Sequence, residues 1–291
     1  MAAEDVYDNY LDALADTHQD RLIDALQRLE DRIADLANGA PVTDGALFDL
    51  EWAINARATL REIIEDEFLV EVQSILTDYP EVASRAAEML KNYGDFTEVD
   101  AGIVNQLQRL SFQGFEAVAV EYLDVLATEI YQNTLTGRNV NDMVRTLRHQ
   151  INGVYIARDE EAVARLVQIA NTATGAAQKA AIDELHTVYA SDKVGNNMRK
   201  YSKQMIQDSL MQFDASVNAA VAREIGATKF KYYGSVIRDS RPFCAEHAGN
   251  TYTIEEIQEI WSGDWKGKAA GDPFIVRGGY NCRHHFRPIL D

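Results

Sequence analysis

Leu22, Leu26, Leu29, Ile33 and Leu36 recur at spacings of four and three, the rhythm that places one side chain per turn on a single helix face. A chain carrying this stripe must form a long helix there and must cover it. Leu11, Ala15 and His18 extend the stripe towards the amino terminus, and Asn38-Gly39 with Pro41 beyond supplies the stop. The cover is either another helix of the same chain or a second copy of it. A second apolar series follows: Leu47, Leu50, Ile54, Ala58, Ile64, Phe68, Val72, Ile75 and Leu76. Thr43 or Asp44 can cap its start, and Tyr79-Pro80 ends it. Packing of the two series within one chain is therefore the expectation.

Helical periodicity continues. PEVASRAAEMLKNYG reads as a short helix closed by Gly94, and a long one runs from about Val99 to Leu135. After the turn Thr136-Gly137-Arg138, Asn139 or Asn141 caps a helix holding Val144, Leu147 and Ile151. Two more cover roughly 160–189, with a break near Gly175, and 196–225, ended by Gly226. Only then does the pattern change. KFKYYGSVIRDSR, 229–241, is aromatic and β-branched and reads as a strand bulged at Gly234. A helix start at 253–256, a glycine-rich loop and a short strand in FIVRGGYN complete the expectation. The fold class is mainly α: a long-helix bundle body followed by a small α+β C-terminal module. The expected segments are an acidic helical domain at 1–155, a helical connector at 156–228 and the module at 229–291.

At 291 residues the chain can bury a full core. No apolar run is long enough to span a bilayer, so no membrane role is expected. The start, MAAEDVYDNY, lacks the basic-then-apolar layout of a signal peptide, which sets a reducing cytoplasm as the expected compartment. The formal charge of −18 is unevenly placed: residues 1–150 hold 29 acids and 11 bases, and residues 151–291 hold 17 of each. An acidic amino-terminal half repels nucleic acid and suits basic or polar protein partners.

Both cysteines, and three of the six histidines, gather near the carboxyl end. Cys244 and His247 form one C-x2-H pair; Cys282 and His285 form another, with His284 as an alternative ligand. Two such pairs flanking a loop are how a closed structural zinc site is usually written. The ion would tie together a module too small to rest on its core alone. Two other readings stay open: buried small apolar cysteines with hydrogen-bonded histidines, or a Cys244–Cys282 disulfide, which a reducing compartment disfavours.

A basic cluster is formed by Arg199, Lys200 and Lys203, continued by Lys229 and Lys231, with Tyr201, Tyr232 and Tyr233 among them. It is the part of the chain where DNA phosphates would be accepted. Solvated helix faces give the same pattern. No glycine-rich phosphate loop precedes a helix, and no catalytic constellation stands out, so neither an enzyme nor a small-molecule substrate is expected.

DSRPFCAEHAGNTYTIEEIQEIW, at 239–261, resembles the first signature of the Mu F-like phage minor head proteins, through Asp239, Arg241, Cys244, Gly249 and Tyr252. GGYNCRHHF, at 278–286, resembles the second, through Gly279, Asn281, Cys282, Arg283 and His284. The similarity covers about residues 190–288. It departs from the commoner family pattern in carrying histidine where relatives carry a further cysteine. The resemblance implies a non-enzymatic virion protein of a tailed phage, at the portal vertex or the capsid interior. It would be made in the host cytoplasm, with the portal or major capsid protein, and packaged DNA, as partners. The residues leave two alternatives: a DNA-contacting or nuclease-like virion protein acting through the basic cluster, and a helical scaffold that self-assembles through the Leu22–Leu36 stripe.

Overall fold

A computed structural model describes residues 3–43, 46–47, 49–90, 101–152, 197–237 and 240–289, with the isolated positions 165 and 169. The expected helix at 160–189, the Gly94 stop and Asp239 lie outside these residues. The fold is mainly α with a small α+β module at the carboxyl end. Among the described residues no helix is long and apolar enough to cross a membrane.

Helix α1 is Ala3–Asn38, and Gly39 follows it as expected. A two-residue ribbon, β1 (Val42–Thr43) with β2 (Ala46–Leu47), precedes α2 (Leu50–Ile64). The cap of α2 is Asp49, whose side chain accepts from the Trp52 amide, so the start falls later than Thr43 or Asp44 and Leu47 is in a strand. A π-helical turn, Glu65–Leu69, leads into α3 (Val70–Leu76). Helices α4 (Tyr79–Leu90), α5 (Ala101–Thr136), α6 (Val140–Asn152) and α7 (Met198–Glu224) follow.

The π turn corrects the second apolar series. Ala53, Ala56, Leu60 and Ile63 are buried, whereas Leu50, Ile54 and Ala58 of the expected series are exposed; Ile64, at the end of α2, is buried as expected. A π turn holds one residue more than an α turn, so it advances the buried face by one position. Phe68, Val72 and Ile75 lie beyond it and are buried as expected. Extrapolating their phase backwards through an unbroken helix lands on the wrong face.

The chain folds into two compact units that do not follow its linear order. One holds residues 26–65 and 118–201. Its described core includes Leu26, Leu29, Ile33, Leu60, Leu123, Leu126, Ile130, Met143 and Leu147, and Arg148 pairs with Glu30 at 3.2 Å. The other holds residues 1–25, 66–117 and 202–291. The second of these units holds the module together with the start of α1. Leu22, Leu26, Leu29 and Ile33 are all at most 1% exposed, so the α1 stripe is covered within the chain. Each such side chain contributes about 2 kcal/mol of hydrophobic burial.

Within this second unit, Phe68 meets Phe115 edge-on and Tyr79 packs on Phe213 with ring centres 4.4 Å apart. His18 is fully buried with Nε2 2.9 Å from Asp78. Burial holds its pKa below the ordinary histidine value, and Asp78 offsets this only in part. With a depressed folded pKa, the folded state binds fewer protons than the unfolded chain below about pH 6.5. Stability is thus full above that pH and declines as the pH falls through the window beneath it. Thermal melts from pH 7.5 to pH 5 are expected to show a falling Tm that a His18→Gln variant flattens. Equal slopes for the two proteins would remove His18 from the account.

The module is built on an antiparallel sheet of order β4-β3-β5: β3 is Lys229–Tyr233, β4 is Thr251–Thr253 and β5 is His285–Pro288. Tyr232 of β3 faces Phe286 of β5, and Phe230 faces Tyr252 of β4. Short helices fill the connections: α8 (Pro242–His247), α9 (Ile254–Trp261) and α10 (Pro273–Val276). A capping box between Thr253 and Glu256 opens α9. FIVRGGYN forms α10 and a turn instead of a strand, because Asp272 caps Phe274 and Pro273 starts a helix at that point.

Candidate metal centre

Three chain segments bring the cysteines together. Pro242 starts α8 and sets Cys244 on its inner face. Gly278 and Gly279 then turn the chain after α10, with the Gly279 amide bonded to the Val276 carbonyl at 2.8 Å and that of Cys282 to the Gly279 carbonyl at 3.2 Å. The turn uses positive φ at Arg277, Gly279 and Asn281. His284 follows on the way into β5. Its ring stacks on Tyr232, centres 5.1 Å apart and nearly parallel. Gly234 leaves the space: a Cβ there would lie 2.5 Å from the His284 ring.

The result is a buried cluster of Cys244, Cys282 and His284 whose donor atoms all lie within 4.8 Å of one another. The two Sγ atoms are 3.7 Å apart, and Cys282 Sγ is 3.8 Å from His284 Nδ1. The sulfurs are free thiols. A tetrahedral ion with sulfur ligands at about 2.3 Å needs a sulfur–sulfur edge of about 3.8 Å, and about 3.6 Å from sulfur to nitrogen. These three residues can hold a metal ion. The Gly278 amide points at Cys282 Sγ from 3.3 Å, an outer hydrogen bond of the kind that steadies a metal thiolate.

Electrostatics favour one thiolate. Its hydrogen bond with Cys244 holds Cys282 well below the ordinary thiol value against the opposing effect of burial, with help from His284 and the Arg277 charge. The same shared proton, together with burial, pushes Cys244 up. Arg277 is wholly buried, donating to the carbonyls of Ile275 at 2.6 Å and Cys282 at 3.1 Å.

Two expected ligands are elsewhere. His247 takes part in a 2.7 Å hydrogen bond with the Tyr252 hydroxyl, and its ring packs on Phe243. His285 alternates to the other side of its strand from His284, and its Nδ1 lies 2.8 Å from Asp214 Oδ2. The pairing of Cys244-x2-His247 with Cys282-x2-His285 is therefore replaced by Cys244, Cys282 and His284. The x2 rule fails at the second pair because His285 enters the sheet, where its direction is set by the pleat.

Around this centre the module is fastened to α1 and α7. Asp214 of α7 receives the Tyr7 hydroxyl at 2.7 Å and lies against His285, all of them buried. Arg287, 1% exposed in its side chain, reaches Asp8, and Arg283 reaches Asp12 at 3.3 Å and Asp16 at 2.8 Å. The Asn281 amide donates to Asp208 at 2.7 Å and its carbonyl accepts from Gln207 at 3.1 Å. Burial raises the Asp208 carboxyl to about 6. A cleft of about 1290 Å³ runs between the aspartates of α1 and the basic residues Lys231, Arg241, Lys266 and Arg283. Part of the amino-terminal acidity is thus neutralised inside this unit.

Gly249 and Arg241, which the sequence also singled out, have structural duties. Gly249 makes a turn at φ 84°, its amide bonded to the Tyr232 carbonyl at 2.8 Å. Arg241 donates to the Tyr280 carbonyl, which links the stretch 239–261 to the stretch 278–286. Of the basic cluster, Arg199 and Lys200 belong to one compact unit while Lys203, Lys229 and Lys231 belong to the other, and Lys231 lies over the Tyr233 ring. Sequence reasoning missed Tyr7, Asp214, Tyr232 and Gly278. Asp214 had a signal: it shares a helix face with Leu210, Val217 and Val221, where a carboxylate needs a buried partner. Comparison of the chain with family models, curated proteins and solved structures returned no match.

Proposed function

We propose that the chain is a structural minor head protein of a tailed phage. It acts without catalysis, at the portal vertex or the inner capsid wall, in head assembly or in DNA packaging or ejection. The observation that carries this reading is the ordered pair of stretches that resemble the Mu F-like signatures, 239–261 and 278–286. What supports it further is that the described parts of these stretches meet in one module through Arg241 with Tyr280 and Cys244 with Cys282. Residues shared for a structural reason would do this. The partner is the portal or the major capsid protein, and the module is the rigid docking element. Quantitative mass spectrometry with cross-linking on purified particles of the source phage tests the reading. A few copies per head, cross-linked to portal or capsid protein, are expected; absence from assembling and mature particles would overturn it.

The ion of the centre is zinc in this reading, held by Cys244, Cys282 and His284. Two thiolates and an imidazole suit zinc in a tetrahedral structural site. Protein purified without chelator or nickel resin is expected to carry about one zinc per chain. A Cys282→Ser variant should lose the zinc and melt earlier. A metal-free wild type with an unchanged Tm in zinc and in chelator would count against zinc.

A further inference from the structure

We propose that the phenol oxygen of Tyr232 is the fourth ligand, closing a Cys244-Cys282-His284-Tyr232 tetrahedron; this rests on the reading of the cluster as a metal site. Tyr232 Oη lies 3.6 Å from Cys244 Sγ and 3.5 Å from Cys282 Sγ. With metal–oxygen distances of about 2.0 Å and metal–sulfur distances of about 2.3 Å, a tetrahedral edge from oxygen to sulfur is about 3.5 Å. Oxygen and both sulfurs thus form one nearly equilateral face at 3.5, 3.6 and 3.7 Å. A donor gathered round a central ion sits this way; a hydroxyl that donates to one sulfur and accepts from the other thiol would too, and the tyrosinate signal of the test below separates the two.

The oxygen is held there by the fold. Tyr232 is on the middle strand, is wholly buried, and is packed between His284, Phe286 and Phe243. Gly278 leaves room for the whole donor set. A Cβ at that position would lie 2.4 Å from Cys244 Sγ, 3.0 Å from Cys282 Sγ and 3.0 Å from Tyr232 Oη. The histidines that spacing offered as fourth ligands are engaged with Tyr252 and Asp214.

Charge supplies a separate argument. Arg277 is wholly buried; its charge acts on the Asp208 carboxyl, and none of the ion pairs among the described residues includes it. Two thiolates, a phenolate and a neutral imidazole around a divalent ion carry a net charge of −1. That anion sits one short turn from the guanidinium, which already donates to the Cys282 carbonyl. A water in place of the phenolate would leave the site neutral. On binding, the ion displaces to solvent the phenol proton and the thiol protons held by Cys244 and Cys282; no oxidant or reductant is involved.

The test is a titration of the stripped, full-length protein with zinc alone at neutral pH, read by the ultraviolet difference spectrum of tyrosinate and by chelator competition. Wild type is expected to develop one tyrosinate per zinc bound. Tyr232→Phe should lose that signal and bind zinc at least about tenfold more weakly. Zinc binding by wild type, lost in Cys282→Ser but with no tyrosinate signal, would overturn Tyr232 as a ligand while leaving the metal reading intact. No zinc binding by the folded wild type would overturn both. The wild-type spectrum decides the question even if the phenylalanine variant does not fold.

Discussion

Replacing Gly278 with alanine is expected to destabilise the protein by about 3 kcal/mol or more and, on the proposed zinc reading, to empty the cysteine cluster of its ion. The added Cβ would lie 2.4 Å from Cys244 Sγ, a separation that real contacts essentially never show. The neighbours cannot give way cheaply. Cys244 is on α8 within an aromatic wall, where Phe243 stacks on Trp265 at 4.2 Å, and the Trp265 indole donates to the Gly278 carbonyl itself at 2.9 Å. Overpacking a well-filled core costs about 1–3 kcal/mol, and the lost ion adds its own share. Gly263→Ala is the control. Its Cβ would meet only the Ile260 carbonyl, at an ordinary 3.6 Å. That variant should stay within about 0.5 kcal/mol of wild type. Zinc content and Tm measured on both proteins check the expectation; a Gly278→Ala protein with wild-type Tm and full zinc would sink it.

Asp214→Ala should be the other severe variant, at about 3–5 kcal/mol. The carboxylate is wholly buried and serves Tyr7 and His285 at once, with the Arg287 charge close by. Its removal leaves buried polar groups on α1 and β5 without their partner, which is costlier than the pair is worth intact. The pH dependence adds a signature. Burial opposes ionisation, but His285, Arg287 and the Tyr7 hydroxyl outweigh it and hold Asp214 below the usual carboxylate range. A depressed folded pKa means the contribution is fully present above about pH 4 and is lost as the pH falls through the folded value. Denaturant melts should therefore show a gap between wild type and variant that is constant from pH 5 to 7 and narrows below about pH 4. A gap under about 1 kcal/mol at pH 7 would show that the cluster does not fasten the module. The half-exposed pair of Arg283 with Asp16 is expected to matter far less, at about 1 kcal/mol or below.

The helices were legible because their information is local. The α1 stripe, its stop at Asn38-Gly39 and the turn at Gly137 all follow from spacings within one or two turns of chain. The failures share one cause as well. The phase of α2 was misread because a π turn inserts a residue without a marker in composition. FIVRGGYN looked like a strand, but a local cap decided for helix, and the third strand formed instead at His285–Pro288, where β3 offered pairing partners.

The cysteine-histidine site divides the same way. That a candidate metal cluster would draw on Cys244, Cys282 and neighbouring histidines was readable as one of several readings, since ligands must come from a short list of residue types and the chain concentrates them in one place. Which histidine, and what completes the set, was not readable. Spacing favoured His285 and left His284 as the alternative. The pleat of β5 sent one to Asp214 and the other to the sulfurs, and pairing of β3 with β5 carried Tyr232, fifty residues away, to the same point. Sequence by itself determined the helical body, the mixed module and the residue types at its centre, because periodicity and side-chain chemistry act over a few residues. Tertiary structure alone decided which side chains meet at the cysteine cluster and how the module is fastened to α1. Distances between strands and helices far apart in the chain exist only once the core has closed.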